Sequence, residues 1–324
     1  MAWNVETIVS LAAYIGGGLA MGLGAIGAAI GEGQTAAMAN LAVSRNPKAS
    51  GDIFKNMLVG QAVAESASIF ALVIAILLLF LDVDVPNLIK AAAIFGAGLS
   101  MGLGAIGSGV GSGNPAAAAC FGISRQPAAT SQLTTNMLIG SAVCQTPAIF
   151  SMVVALMLIF IDFSGSPLQP TWAALVGAGF SMGLAAIGSG YGGGLAAGAS
   201  CEGIARHPRT VANVTTTMLV GQAVAQTPSI FGLLISFILM FKSFPESASV
   251  SAAMALLAAG LCMGFGGIGP GIGNGMAAEG AVRWVARNVE HAGDLMRIML
   301  VGQAVSQSTA MYSLGLRVED FAAV

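Results

Sequence analysis

Long apolar stretches alternate with short polar ones along the whole chain. The apolar stretches run roughly over 8–42, 54–81, 89–123, 134–161, 171–203, 215–241, 251–282 and 296–316. Each is as long as or longer than the about 20 apolar residues that cross a bilayer. They carry neither the strict alternation of half-buried strands nor, at this length and Ala content, a strand-like composition. Lipid tolerates only helices or closed barrels, because backbone polar groups must be satisfied internally. The pattern therefore predicts eight transmembrane helices.

The stretches repeat in pairs. "GLAMGLGAIGAAIGEG" at 18–33 returns as "GLSMGLGAIGSGVGSG" at 98–113, "GFSMGLAAIGSGYGGG" at 179–194 and "GLCMGFGGIGPGIGNG" at 260–275. "MLVGQAVAES" at 57–66 returns at 137, 218 and 299, shifts of 80, 161 and 242 that also align the glycine-rich stretches. The chain is thus predicted to be an all-α membrane protein of four tandem helical hairpins. Their boundaries fall at 1–84, 85–166, 167–246 and 247–324. The fourth has an atypical polar end. Arg317, Glu319 and Asp320 stand where the first has apolar residues, and each would cost about 2.5–3.5 kcal/mol at a helix centre.

Gly102, Gly104, Gly107, Gly109, Gly111 and Gly113 nearly alternate along one predicted helix. A single small-xxx-small pair is ordinary membrane-helix packing. Four copies of a whole ladder fit a first helix crowded on both sides by its own kind, as in the inner wall of a narrow ring. A dinucleotide-binding reading of "GLGAIG" fails, since no strand precedes it.

Composition agrees. The 324 residues are 56% hydrophobic and 8% charged, against about 25% charged in soluble chains. A net charge of −2 points away from nucleic acid. Cys120, Cys144, Cys201 and Cys262 lie in apolar stretches as small hydrophobes, and His207 and His291 lie in polar loops. "MAWNVET" lacks a basic leader pattern, so the first apolar stretch is expected to be a mature helix. Nine of twelve Lys and Arg lie in or beside the hairpin loops. Asp82, Asp84, Asp162 and Glu246 lie toward the opposite side with Lys90 and Lys242. By the positive-inside rule the loops face the cytoplasm and both termini the other side.

One position differs in kind. "VGQAVAESASIF" places Glu65 inside an apolar helix, while the matching positions hold Gln145, Gln226 and Gln307. An acid deep in a membrane is by default a site on an ion path; the bland alternative is an ion pair inside the bundle, but no basic residue occurs at that depth. Desolvation without a partner favours the protonated form. Glu32 is the second acid in the same hairpin, with Ser112, Gly193 and Asn274 at its equivalents. If the two carboxyls meet, they titrate as a pair; otherwise Glu32 points into the lumen of a ring. Gln has nearly the shape of protonated Glu but does not ionise. Thr146, Thr227 and Ser308 stand ready to satisfy the amides, and Pro147 and Pro228 to kink the helix and free carbonyls.

The combination of a glycine-ladder helix, an Arg-x-Pro loop ("SRNP" 44–47, "SRQP" 124–127, "ARHP" 205–208, with "ARNV" at 286–289) and "MLVGQAVAES" resembles the c subunit, or proteolipid, of F-type rotary ATPases, here as a four-hairpin fusion. The resemblance implies a homo-oligomeric rotor ring with first helices inside, here of three or four chains. It implies an essential carboxylate at Glu65 and a stator a subunit whose arginine forces ion release. Central-stalk subunits would meet the loops at Arg45, Arg125, Arg206 and Arg287, with lipid around the ring. It implies no enzyme activity of the chain alone and no cofactor. The transported ion is read as H⁺. Na⁺ is the alternative, because Ser66 and the Val63 carbonyl match oxygen ligands of Na⁺-binding relatives, whereas Glu32 replaces their Gln and Phe70 their Tyr. One acid per four hairpins favours an ATP-driven pump over a synthase. The competing readings are a self-contained channel or secondary transporter with Glu32 and Glu65 at its midplane, and a structural membrane ring.

Overall fold

The computed structural model describes residues 4–80, 86–243, 245 and 249–315. Asp82, Asp84, Glu246, Arg317, Glu319 and Asp320, invoked above for sidedness and for the polar end, lie outside these residues.

The glycine-rich stretches form four long helices: α1 (Val5–Arg45), α3 (Leu88–Arg125), α6 (Leu168–Arg206) and α9 (Val250–Val285). The second stretch of each pair forms α2 (Ser50–Leu79), then α4 (Thr130–Cys144) with α5 (Thr146–Phe160), α7 (Val211–Ala225) with α8 (Thr227–Phe241), and α10 (Ala292–Gly315). Side chains fix several starts. Asn4 accepts from the Thr7 N–H at 2.8 Å and Asn87 from the Lys90 N–H at 2.7 Å, each satisfying an orphan donor of the first turn. Within each hairpin the helices are joined by one 3-10 turn, and the first three turns begin with Pro47, Pro127 and Pro208. Proline fits there because its fixed φ suits the turn and its missing N–H is not needed.

The four glycine-rich helices overrun the predicted stretches at both ends, and the second-layer helices only at their starts. α1 has 41 residues, about 60 Å at 1.5 Å per residue, roughly twice a hydrocarbon core. Among the described residues, seven helical segments are long and apolar enough to cross a membrane: Val5–Arg45, Pro47–Leu79, Leu88–Arg125, Pro127–Phe160, Leu168–Arg206, Pro208–Phe241 and Val250–Val285. α10 is not among them, because Asp294, Arg297 and the run Ser306–Thr309 dilute its apolar character.

The helices form two layers. α1, α3, α6 and α9 lie side by side in chain order. The second layer fills the grooves of the first: α2 between α1 and α3, α4–α5 between α3 and α6, α7–α8 between α6 and α9, and α10 against α9. Each second-layer helix except α10 therefore touches its own hairpin and the next. Glycine makes the first layer possible. A Cβ on Gly109 would lie 2.5 Å from the Ala28 N, so α1 and α3 approach at backbone distance only because this glycine lacks a side chain. Two apolar clusters hold the layers together. One contains Ile74, Leu78, Met101 and Leu158, the other Ile53, Ile123, Leu133 and Met137 at the loop end. Between them runs a belt of buried polar side chains, including Ser112, Ser141, Gln145, Gln222, Gln226, Asn274 and Gln303.

Candidate ion-binding site

The three equivalents of Glu65 lie in this belt. Gln145, Gln226 and Gln307 are each only 6% exposed. Glu65, on α2, is exposed. The difference has a simple cause. Each amide is covered by the second-layer helix of the preceding hairpin, and among the described residues no helix takes that place over Glu65.

The amides show what the position recognises. Gln145 donates to the Val63 carbonyl at 2.9 Å and to Ser112 Oγ at 2.8 Å. Gln226 donates to the Val143 carbonyl at 3.2 Å. In the fourth hairpin Asn274 takes over, donating to the Val224 carbonyl at 3.3 Å and to Gln307 Oε1 at 2.7 Å. One carbonyl per hairpin, at Val63, Val143 or Val224, is thus read by the next hairpin. Proline exposes two of them. Pro147 and Pro228 lack the N–H that would bond the carbonyl four residues back, at Val143 and Val224. The helix breaks there into α4 and α5, and into α7 and α8. α2 and α10, with Ala67 and Thr309 at the matching positions, run on unbroken.

The hydroxyls beside the site serve their own helices. Ser66 Oγ donates to the Ala62 carbonyl at 3.3 Å, Thr227 Oγ1 to Val224 at 2.7 Å and Ser308 Oγ to Val305 at 2.7 Å. The expectation that such hydroxyls satisfy the amides gives way to the carbonyls of the neighbouring hairpin. A hydroxyl one residue on reaches back along its own helix more readily than across it. The Val63 carbonyl likewise faces Gln145 of the next hairpin rather than Glu65 of its own.

Glu32 is half-buried on α1. No hydrogen bond joins it to Glu65 among the described residues. In hairpins 2 and 4, however, the equivalents of Glu32 touch the equivalents of Glu65, Ser112 with Gln145 and Asn274 with Gln307. Ion pairs among the described residues are confined to Arg206–Glu202, Arg283–Glu202 and Arg283–Glu279, so neither acid has a cationic partner there.

Sequence reasoning passed over a second set of amides. Gln61 donates to the Glu32 carbonyl at 3.2 Å. Gln222 donates to Gly193 and to Gly140 of the preceding hairpin, both at 3.0 Å. Gln303 donates to Asn274 at 2.9 Å and to Gly221 at 3.0 Å. The repeated Gln in "VGQAV" was the available signal. At the loops, the Arg45 and Arg125 guanidiniums both stack on Phe121, at 4.6 and 4.3 Å from its centroid. Arg287 stacks on Trp284 at 4.8 Å, and Arg206 pairs with Glu202 at 3.7 Å.

Known proteins carry the same unit. The family model for the C subunit of ATP synthase matches residues 15–78, 95–158, 176–239 and 257–316, once per hairpin. The chain belongs to the ATP synthase C-subunit family. Relatives in this family include the K subunit of the A-type ATP synthase of Methanocaldococcus jannaschii, 32% identical over 226 residues, 70% of this chain and 94% of the relative. The ATP synthase c subunit of Natranaerobius thermophilus is 52% identical over 75 residues, 23% of this chain and 86% of the relative. That of Dehalococcoides mccartyi is 59% identical over 63 residues, 19% of this chain and 83% of the relative. As a member of the C-subunit family the chain is an integral, multi-pass, non-catalytic and ion-translocating component of a rotary ATP synthase. The family builds a rotor ring that meets the a subunit and the stalk.

Proposed function

We propose that this chain is a rotor subunit in which Glu65 alone carries the ion, one per four hairpins, and that the ion is H⁺. The observation that carries this reading is the replacement of Glu65 by Gln145, Gln226 and Gln307 in otherwise matching hairpins. The amides keep the shape and the donor of a protonated carboxyl but never ionise. They pass through lipid as neutral spacers. Glu65 exchanges its proton where the stator a subunit, through its arginine, favours the ionised form, and is otherwise neutral. Glu32 shares the proton or tunes the site.

In this reading α10 completes the eighth crossing, and the glycine-rich layer lines the inside of a ring of three or four chains. The loops bearing Arg45, Arg125, Arg206 and Arg287 face the cytoplasm and the central stalk, with both termini on the other side. One acid in four hairpins lowers the ions moved per turn fourfold relative to an all-acid ring of equal size. At fixed energy per turn, fewer ions are driven against a steeper gradient, which suits an ATP-driven pump.

Carbodiimide labelling of Glu65 in membranes, read by peptide mass across pH with and without Na⁺, tests this. Selective labelling that ignores Na⁺ supports a proton rotor. Protection by Na⁺ overturns the ion assignment. No labelling of Glu65 while exposed acids react overturns Glu65 as the ion carrier.

A further inference from the structure

One position at the loop end of the glycine-rich helices is small in three hairpins and large in the fourth. Ala42, Gly122 and Gly203 hold it in hairpins 1 to 3, and Trp284 holds it in hairpin 4. The small residues lie at the joints between consecutive first-layer helices. A Cβ on Gly122 would lie 2.9 Å from Ala205 Cβ, and one on Gly203 would lie 2.7 Å from Ala286 Cβ. Both distances fall short of the about 3.5–4.0 Å at which carbon atoms attract. Ala42 is fully buried, and beside it Asn46 Nδ2 ties hairpin 1 to the Ser124 carbonyl of hairpin 2 at 3.1 Å. These joints have room for a hydrogen or one methyl group.

Trp284 stands at the same helical position on α9, the last first-layer helix of the row. It is 50% exposed, and the Arg287 guanidinium lies 4.8 Å from its ring centroid. The residue that matches Ala205 and Ala286 at the other end of the row is Ser44, on α1. Ser44 is exposed, as is Leu41 one turn before it. The family builds a ring, and closing the row brings the end of α9 in one copy against α1 of the next. Repeating the internal joint there would set Trp284 against Ser44. An indole cannot enter a joint that a methyl group overfills. The joint between copies is therefore built differently at the loop end from the three joints within a copy.

We propose that Trp284 is both spacer and anchor of the contact between copies at the loop rim. Its indole stands between α9 and α1 of the next copy, over Leu41 and Ser44 there, and holds that joint wider than the joints within a chain. The inference rests on the ring reading and adds what makes the joint between chains unlike the others. A buried aromatic side chain covers about 150–250 Å², and Trp is enriched among the few residues that dominate interfaces. The indole belongs to the glycine-rich layer, which lines the inside of the ring in this reading. A spacer on the inside opens each joint inward and lowers the angle between adjacent copies. Trp284 thus helps to set how many copies close the ring, and the loop rim carries one wide joint per four hairpins.

The test uses the assembled rotor. Trp3→Phe with Trp172→Phe leaves Trp284 as the sole tryptophan of the chain. Acrylamide should quench its emission several-fold less in the ring than in the chain dissociated by SDS. Trp284→Ala, which copies Ala42, should give a native mass with fewer copies, or the natural number in a ring that dissociates at lower SDS. The fluorescence reading decides the matter should the Ala variant fail to assemble. Equal quenching in the ring and in the dissociated chain overturns the joint. So does a Trp284→Ala ring of natural copy number and natural resistance to SDS. Strong quenching by brominated lipid in the ring would make Trp284 a membrane-surface anchor, as Trp often is, and overturns it likewise. A native mass of one chain overturns the ring reading itself.

Discussion

The side-chain amide of Gln145 donates to the carbonyl of Val63 on the neighbouring hairpin, 82 residues away in the chain, at 2.9 Å. The bond holds two hairpins together through a position that, one repeat earlier, holds an acid. Gln145→Leu leaves the Val63 carbonyl and the Ser112 hydroxyl without this donor. Side-chain hydrogen bonds between membrane helices contribute on average about 0.6 and at most about 1.7 kcal/mol in double-mutant cycles. A loss of about 1 kcal/mol is expected, read as earlier thermal unfolding of the detergent-solubilised assembly, with ion transport retained.

Pro147 should be coupled to Gln226. Without the proline ring, an N–H at position 147 would compete for the Val143 carbonyl that Gln226 now reads. Gln226→Leu is therefore expected to cost less in a Pro147→Ala background than in the natural chain. A double-mutant cycle on unfolding should return a coupling above about 0.5 kcal/mol; strict additivity would show that the carbonyl is no nearer to free than its neighbours.

Gly27 and Gly51 separate backbone contact from helix propensity. A methyl on Gly27 would sit 2.5 Å from Ile106 Cα, whereas one on Gly51 meets nothing within 4 Å. Gly27→Ala should cost about 1–3 kcal/mol by forcing α1 and α3 apart. Gly51→Ala should be neutral or stabilise by up to about 1 kcal/mol. Chemical denaturation in micelles compares the two.

Asp162, in the turn after α5, accepts from the Ser164 N–H at 2.9 Å and from the Ser164 hydroxyl at 3.0 Å. These bonds hold its carboxyl below the ordinary value of 3.8. A depressed carboxylate stabilises the fold above that ordinary value, and the contribution is lost as pH falls through the folded one. An NMR titration of Asp162 should give a midpoint below that of an unstructured Asp. Asp162→Asn should remove the associated acid-side change in turn stability.

Much of this was legible in the sequence for a physical reason. Repeats with shifts of 80, 161 and 242 leave one register, and a run of alternating glycines leaves one partner, another such helix. The resemblance to rotary-ATPase proteolipids also stood in the residues. What escaped was the seam between hairpins. That Gln145 reads Val63 and not its own Thr146 depends on how helices 80 residues apart stack, which local pattern does not encode. Pro147 announced a kink, but not that the freed carbonyl at Val143 would serve Gln226 of the next hairpin. Nothing in the local pattern sets Phe121 apart, yet its ring takes both the Arg45 and the Arg125 guanidinium. The reach of α1 was underestimated because the polar residues at its ends mark the edge of lipid, not the end of the helix.

The central claim is that Glu65 alone carries the ion. ATP-driven ion uptake by the whole complex reconstituted in vesicles, compared between the natural chain and Glu65→Gln, tests it most directly. The account predicts loss of uptake with the ring intact by native mass, and uptake kept by Gln307→Leu. Uptake at the natural rate in Glu65→Gln would contradict it, and would place the ion on another group.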